Sequence, residues 1–208
     1  MNIGFFGGTF SPPHKGHLHS AKMFSLECSL DRLIIIPAKV SPFKTGDEKT
    51  AEEVDRLNMS RLCFDSLDIC STKVEISDFE ISKEGTSYSY LTIDYLLEKH
   101  PGCNLFMYVG SDMFLSLEKW KNFEYIFSKC CIYTHARNKD ELDILQEYKK
   151  KYTNLYNADI IISQDAPFCV SSTEIRTLLQ KKDSQTLKNL LTDEVFRYIM
   201  ENRLYFGE

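Results

Sequence analysis

The N-terminal stretch, residues 3–17, constrains the fold more than any other part of this chain. It begins with the short apolar run Ile-Gly-Phe-Phe, which is typical of a buried strand. The glycines, threonine and prolines that follow are typical of a loop, and the apolar pattern that begins at Leu18 predicts a helix. A strand, a glycine turn and a helix in this order bring backbone N–H groups and a helix N-terminus to one point, where a phosphate can bind.

The loop itself contains groups suited to an anion. Gly7 and Gly8 leave the backbone open to close approach, and His14 and His17 add hydrogen-bond donors. The stretch is neither a G-x-G-x-x-G fingerprint nor a Walker A loop, because no Gly-Lys-Ser or Gly-Lys-Thr follows. Two other interpretations stay open: the histidines cap the helix and do nothing else, or they form half of a zinc site with His19. Zinc is disfavoured because no cysteine or further histidine lies nearby to complete a tetrahedral set.

Strand-like and helix-like segments alternate along the rest of the chain. Strands are predicted at residues 32–37, 73–77, 104–109, 131–134 and 159–163, and helices at 50–67, 88–99, 113–118, 123–128, 139–152, 173–180 and 193–202. This alternation predicts an α/β fold with a Rossmann-like, doubly wound parallel sheet and helices on both faces. We expect a single domain over residues 1–208, in which residues 163–208 form a loop and a helical segment packed on the sheet. In such sheets ligands bind beyond the carboxyl ends of the strands.

Composition limits the class of protein. The chain has 208 residues and a net charge of −5, from 25 Lys and Arg against 30 Asp and Glu, which argues against a general nucleic-acid or anionic-membrane surface. No signal peptide and no membrane-spanning run is recognisable. The seven cysteines are odd in number and include no C-x-x-C pair, as expected for reduced thiols. We therefore expect a cytoplasmic protein that binds neither nucleic acid nor membrane.

A second constellation lies near the C-terminus, at residues 170–176. Ser171 and Glu174 have the spacing of a capping box, so a helix should begin there. Ser172, Thr173 and Arg176 then share one helix face, and the arginine leans back toward the helix N-terminus. Free N–H groups, two hydroxyls and a guanidinium would converge on one anion. Taken alone, the same pattern also describes an ordinary capped helix with a surface arginine.

Two further candidates follow the strand predicted at 104–109. Asp112 comes directly after the strand end, and Trp120, the single tryptophan, lies a short helix away. Spacing alone does not decide their role. Asp112 could be the N-cap of a helix and Trp120 a core residue, or both could belong to a binding site.

Together these motifs resemble a known family. His14-Lys15-Gly16-His17 is similar to the His-x-Gly-His element of the nucleotidylyltransferase superfamily. The preceding Gly-Gly-Thr-Phe, and the resemblance of residues 170–176 to Ile-Ser-Ser-Thr-x-Ile-Arg, point to the bacterial nicotinate-nucleotide adenylyltransferases. The resemblance implies adenylyl transfer from ATP to nicotinic acid mononucleotide in NAD biosynthesis, with Mg²⁺ as cofactor and a homo-oligomer in solution.

The resemblance also implies roles for individual residues. The catalytic groups would be His14, His17, Arg176 and Lys44. The ATP-binding residues would be Gly7, Gly8, Thr9, Phe10, Arg137, Ser172 and Thr173. The mononucleotide-binding residues would be Tyr88, Ser89, Asp112 and Trp120, with no metal ligand from the protein. The sequence departs from the family pattern at Ser11, Ala38, Phe43 and Ala136.

Other functions in the same fold compete with this one. Adenylylation of nicotinamide mononucleotide or pantetheine phosphate, and cytidylylation of an alcohol phosphate, use related chemistry. The Ser-Ser-Thr-x-Ile-Arg helix and Trp120 disfavour the cytidylyl reaction, and the chain is long for the pantetheine enzyme. A module that binds a nucleotide without transferring any group is the alternative from a different class.

Overall fold

The computed structural model describes residues 1–39, 50–65, 67–69, 71–136, 138–163, 165, 168 and 170–206. Its strands are β1 (Asn2–Gly8), β2 (Arg32–Pro37), β3 (Lys73–Ile76), β4 (Asn104–Tyr108), β5 (Cys131–His135) and β6 (Ile160–Ser163). Its longer helices are α1 (Lys15–Glu27), α2 (Glu53–Phe64), α4 (Ser89–Lys99), α7 (Lys139–Tyr156), α8 (Ser172–Gln180) and α10 (Asp193–Glu201). The shorter ones are α3 (Phe79–Ser82), α5 (Ser111–Phe114), α6 (Phe123–Lys129) and α9 (Ser184–Leu190), and a 3-10 turn covers Leu117–Lys119.

The strands form one sheet in the order β3-β2-β1-β4-β5-β6, and every neighbouring pair is parallel. The order runs outward in opposite directions from the β1–β4 pair. Beyond the carboxyl ends of these two central strands lies the crevice where doubly wound sheets bind ligands. The predicted doubly wound parallel sheet is confirmed.

Side chains on the two faces of the sheet belong to two separate apolar clusters. On β1, Phe5 packs into one cluster and Phe6 into the other, because successive strand residues point to opposite faces. The first cluster is completed by α4, α6 and α7, and the second by α1, α2 and the C-terminal helices α8, α9 and α10. Helices therefore cover both faces, and the C-terminal helical segment packs on the sheet as predicted.

The predicted start of α2 is wrong. The helix begins at Glu53, its N-cap is Glu52, and no side chain caps it, so Thr50 does not form the expected capping box. The N–H of Ala51 makes a tertiary hydrogen bond to Ser11 Oγ at 3.0 Å. The carbonyl of Ala51 accepts from Nε of Arg56, a side chain of α2 itself, at 3.2 Å. These bonds hold the backbone of Ala51 outside the first helical turn.

Two further differences concern a short helix that was not predicted and the end of a predicted one. The four-residue helix α3 has no periodic signal long enough to predict it. Helix α7 continues to Tyr156, beyond the predicted end at residue 152, and it stops where Asn157 adopts a left-handed conformation with φ 52°.

The structure describes five of the seven cysteines. No disulfide joins Cys28, Cys103, Cys130 or Cys131 to another cysteine in the part of the chain described, and Cys63 is buried in the second cluster. Cys70 and Cys169 lie outside the described residues. Among the described helices, none is long and apolar enough to cross a membrane.

The centre of the sheet depends on a glycine. A Cβ added at Gly4 of β1 would lie 2.3 Å from Leu30 Cδ1 and 2.8 Å from Phe24 Cε1. Both neighbours are fully enclosed in the second cluster, so neither can move away without disturbing other packed groups.

We expect Gly4→Ala to lower the free energy of unfolding by about 1–3 kcal/mol, the scale of overpacking a core. Urea denaturation measures the change. Gly7→Ala is the matched control on the same strand, because the nearest atom to its added Cβ is the Ile36 carbonyl oxygen at 4.0 Å. Equal stability of the two variants would contradict this view of the core.

Candidate active site

Helix α1 begins with two histidines that cap each other. His14 is the N-cap residue, and its Nδ1 accepts a hydrogen bond from the backbone N–H of His17 at 3.3 Å. In return, Nδ1 of His17 accepts from the backbone N–H of His14 at 3.2 Å. The two rings stack with their centroids 3.6 Å apart. The histidines do cap the helix, and they use the Nδ1 edge of each ring to do so.

Hydrogen bonding determines which ring nitrogen carries the proton in a neutral histidine of this pair, and burial determines that His14 is uncharged. Because Nδ1 of each ring accepts a backbone N–H, the proton of a neutral ring lies on Nε2, which becomes a donor. His14 is 4% exposed, and this burial lowers its pKa from 6.5 to about 4. His14 is therefore a neutral N–H donor at pH 7, and the stack avoids the repulsion of two adjacent cations.

The loop between β1 and α1 is held in shape by packing. Phe10 has φ 47°, a left-handed conformation that costs a bulky residue about 1–2 kcal/mol. Its ring is 2% exposed and packs edge-on against His17 at 5.0 Å and Phe64 at 5.6 Å. Burial of an aromatic ring is worth enough to offset this strain.

The C-terminal motif forms the capped helix that the sequence predicts. Ser171 is the N-cap of α8, and its hydroxyl oxygen accepts from the backbone N–H of Glu174 at 3.1 Å. Arg176 leans back along the same face, and its Nη2 donates to Thr173 Oγ1 at 3.0 Å.

This helix is bonded to the N-terminal loop. Arg176 is 8% exposed, and its Nη1 donates to the carbonyl of Ser11 at 2.9 Å. The hydroxyl of Ser172 donates to the carbonyl of Pro12 at 2.9 Å. The two motifs, separated by about 160 residues in sequence, therefore meet at one point, with His14 two residues beyond Pro12.

Gly16 allows this close approach. A Cβ there would lie 2.8 Å from the carbonyl oxygen of Phe168, 2.8 Å from Val170 Cγ1 and 3.0 Å from His14 Nδ1. A side chain at this position would separate the segment leading into α8 from the first turn of α1.

A cavity of about 690 Å³ opens beyond the carboxyl ends of β1 and β4, where the strand order predicts a ligand. Its volume is within the range of small-molecule sites. The cavity contains the four predicted mononucleotide-binding residues, Tyr88, Ser89, Asp112 and Trp120. Among the predicted ATP-binding residues, Gly7, Gly8 and Thr9 line it. Its other lining residues are Phe5, Ala38, Glu80, Ser87, Met107, Tyr108, Met113, Lys119 and Lys121.

His14, His17, Ser172, Thr173 and Arg176 do not line this cavity. The site therefore has two parts, an apolar cavity and the docked histidine and arginine motifs. Aromatic contacts connect them. The ring centroid of Phe6 lies 4.0 Å from that of Tyr108, which lines the cavity, in a tilted arrangement. It lies 6.0 Å from the ring centroid of His17 in an edge-on contact. Two of the predicted site residues, Lys44 and Arg137, lie outside the described part of the chain.

Sequence reasoning missed Arg56, which is 3% exposed. Its guanidinium donates to the carbonyls of Thr9 at 3.0 Å, Ala38 at 2.5 Å and Lys39 at 3.2 Å. The arginine thus joins the loop after β1 to the loop after β2, and it brings a positive charge beneath the glycine turn. Arg56 lies among several other charged residues in the segment that forms α2. Nothing in the sequence therefore distinguishes it from an arginine exposed to solvent.

Sequence reasoning also missed Tyr205. Its hydroxyl lies 2.9 Å from Ser11 Oγ, and the same oxygen of Ser11 accepts the N–H of Ala51. Burial raises the pKa of Tyr205 to about 12, so the phenol is neutral. The contact joins residues 194 positions apart, a distance over which local sequence carries no signal.

Comparison with known sequences agrees with this arrangement. A family model described as cytidylyltransferase-like matches residues 5–178, which include both end motifs. A Clostridium tetani protein named "Probable nicotinate-nucleotide adenylyltransferase" is 34% identical over 200 residues, or 96% of each chain. A Clostridium botulinum (strain Langeland) protein of the same name is 31% identical over 207 residues, or 99% of each chain.

Comparison with solved structures shows the same fold. Plasmodium falciparum nicotinic acid mononucleotide adenylyltransferase complexed with NaAD superposes with a TM-score of 0.80 at 22% identity, covering 98% of this chain and 97% of the other. The same enzyme complexed with APC gives a TM-score of 0.79 at 21% identity, covering 98% and 96%. By the sequence matches along almost its whole length, this chain belongs to the nicotinate-nucleotide adenylyltransferases of the cytidylyltransferase-like family.

Proposed function

We propose that this chain transfers the adenylyl group of ATP to nicotinic acid mononucleotide, releasing pyrophosphate and forming deamido-NAD. The observation that carries the proposal is the docking of α8 on the histidine loop beside a cavity of nucleotide size. The names of the Clostridium relatives, and the NaAD bound to the Plasmodium enzyme, support the choice of substrate.

The reaction needs little acid–base chemistry. A phosphate oxygen of the mononucleotide attacks the α-phosphorus of ATP, and the bond from that phosphorus to the α,β-bridging oxygen breaks. The electron pair leaves with pyrophosphate. Because the nucleophile is already an anion, the protein must mainly position the two phosphates and stabilise the charge that develops.

The ATP half supplies donors for this charge. In our proposal, His14 and His17 donate Nε2–H hydrogen bonds to the α- and β-phosphates, because their Nδ1 atoms already accept backbone N–H groups. Arg176 and Lys44 neutralise the leaving pyrophosphate. The residues that would line the path of ATP are Gly7, Gly8, Thr9, Phe10, Arg137, Ser172 and Thr173.

The mononucleotide half is the cavity. We assign Trp120 to stacking on the pyridine ring and Tyr88 and Ser89 to its edge, with Asp112 beside the mononucleotide. All four line the same cavity as Gly7, Gly8 and Thr9, and this shared lining supports binding of the acceptor next to the phosphate loop.

The Mg²⁺ expected from the resemblance fits best as part of the MgATP substrate. Among the described residues, no group of three His, Cys, Asp or Glu side chains could hold a metal. His14 presents an N–H donor at its Nε2 and cannot be a ligand there while Nδ1 is occupied. Mg²⁺ commonly binds mainly through substrate phosphates, where it neutralises charge on the leaving group.

The direct test of the function is pyrophosphate release with defined substrate pairs. We expect release that requires both ATP and nicotinic acid mononucleotide. Replacing the mononucleotide by pantetheine phosphate, or ATP by CTP, should abolish it. Release with either replacement, or binding of nucleotide without release, would contradict the proposal.

We expect His17→Ala to lower kcat at least about a hundredfold, the effect of losing one preorganised donor to the transition state. Steady-state kinetics with saturating substrates measures it. His100→Ala is the matched control, because His100 is the C-cap of α4, at the opposite end of the strands from the cavity. A near-normal kcat for His17→Ala would remove the assigned role.

We expect Trp120→Ala to raise KM for the mononucleotide about tenfold or more, since stacking on an aromatic side chain is worth about 1–3 kcal/mol per base. KM for ATP should change little, because His14, His17 and Arg176, which would hold the phosphates of ATP, do not line the cavity that Trp120 lines. Trp120→Phe keeps a ring and should recover most of the loss. Equal increases in both KM values would indicate a general structural defect instead.

Burial of neutral His14 predicts a pH dependence of stability. Its pKa is about 4 in the folded protein and 6.5 when exposed, so between these values the unfolded chain binds the extra proton. The contribution of His14 to the free energy of unfolding is fully present above pH 6.5. We expect the free energy of unfolding to fall by about 3 kcal/mol as the pH drops to 4. His14→Asn keeps an N-cap acceptor without a titrating group. Urea unfolding should show this loss in the parent protein and not in the variant.

A further inference from the structure

The mononucleotide cavity contains two lysines whose role the reaction does not explain. Lys119 and Lys121 flank Trp120, and both line the cavity. Neither is part of an ion pair among the described residues, so each brings a full positive charge to this wall. The acidic residues that line the same cavity are Glu80 and Asp112.

Lys121 is the better placed of the two. Its ammonium nitrogen lies 4.6 Å from the centroid of the Tyr88 ring and 5.9 Å from that of Tyr90. Such cation–π contacts favour one position for a side chain that would otherwise move freely in solvent. The contact with Tyr88 holds the charge above a residue that lines the cavity, next to Trp120. No comparable contact is found for Lys119 among the described residues.

The two acids have other hydrogen-bond partners. Glu80 Oε1 accepts the hydroxyl of Thr92 at 2.6 Å, and burial raises the pKa of Glu80 and so favours its neutral form. Asp112 Oδ1 accepts the backbone N–H of Met113 at 3.0 Å. Within the part of the chain that the structure describes, no ion pair joins Lys121 to either carboxylate.

We propose that the ammonium group of Lys121 binds the carboxylate of the nicotinate ring and thereby selects the acid over the amide. This inference rests on the proposed function, since it places the pyridine ring between Trp120 and Tyr88. Lys121 lines the same cavity as Trp120 and Tyr88, with its ammonium 4.6 Å from the Tyr88 ring centroid, so it is within reach of a substituent on a ring bound there. The carboxylate of nicotinate gains a charge-assisted hydrogen bond, whereas the neutral amide does not.

Two other arrangements make different predictions. If backbone N–H groups near Ser89 and Lys121 hold the carboxylate, then shortening the lysine side chain leaves the preference unchanged. If Lys121 binds the phosphate of the mononucleotide, its loss weakens the acid and the amide equally. Only a side-chain contact with the carboxylate changes the ratio between the two substrates.

The experiment compares kcat/KM for nicotinic acid mononucleotide and nicotinamide mononucleotide, with MgATP, in the parent protein and in Lys121→Met. We expect the acid to lose about tenfold, the factor for one charged hydrogen bond at a partly exposed site, and the amide to stay within about twofold. Lys121→Arg should keep most of the preference. High salt should reduce the preference of the parent protein, because exposed charges are screened.

Two lysines serve as controls. Lys129 makes a similar cation–π contact, 5.5 Å from the ring of Tyr125, but does not line the cavity, so Lys129→Met should leave the ratio unchanged. Lys119→Met removes a charge on the other side of Trp120. An equal loss of preference in Lys119→Met and Lys121→Met would overturn the assignment to Lys121, as would an unchanged ratio in Lys121→Met.

Failure of the proposed function gives a different result. In that case the parent protein releases no pyrophosphate with either mononucleotide. Calorimetry of the two mononucleotides without ATP still measures the ratio of their dissociation constants, and hence the role of Lys121. A ratio that is the same in the parent protein and Lys121→Met would overturn the proposal independently of turnover.

Discussion

The arrangement of the site depends on a contact between the two ends of the chain. The guanidinium of Arg176 and the hydroxyl of Ser172 donate to consecutive carbonyls of the N-terminal loop, at Ser11 and Pro12. Buried carbonyls need hydrogen-bond partners, and these two obtain them from α8 rather than from their own strand or helix. The same bonds that satisfy the loop therefore bring a guanidinium to the first turn of α1. The same two hydrogen bonds therefore stabilise the loop and place the positive charge of Arg176 beside it.

The groups around the N-terminal loop divide into neutral and charged ones. The imidazole of His14 is neutral, and its donor is oriented by its own cap bond. The positive charges come from arginines, Arg176 on α8 and Arg56 on α2, which donate to loop carbonyls at hydrogen-bond distance. A guanidinium that stays charged suits a fixed field, whereas a buried imidazolium would be costly. Two arginines thus bring positive charge to the loop, and the neutral His14 provides an uncharged N–H donor beside it.

The sequence predicted six strands, their parallel arrangement and the edge at which ligands bind, because these follow from local periodicity and general rules of chain connection. Asp112 and Trp120, which follow a predicted strand end, do lie at one cavity at that edge. Tyr88 lines the same cavity, but only the family resemblance pointed to it. The sequence could not show Arg56 or Tyr205, whose roles arise from contacts with distant carbonyl and hydroxyl groups. The start of α2 was missed for the same reason, since tertiary hydrogen bonds override a local capping pattern.

The contact of Tyr205 with Ser11 has a consequence for how the protein is made. The glycine loop leaves the ribosome 160 to 194 residues before Ser172 and Tyr205, which bind it in the folded protein. Until α8 emerges, the carbonyls of Ser11 and Pro12 can bind only water. The central strands can therefore meet before the loop acquires its final hydrogen bonds. A chain that stops before α8 would lack these bonds, and the second apolar cluster would lose the side chains of α8, α9 and α10.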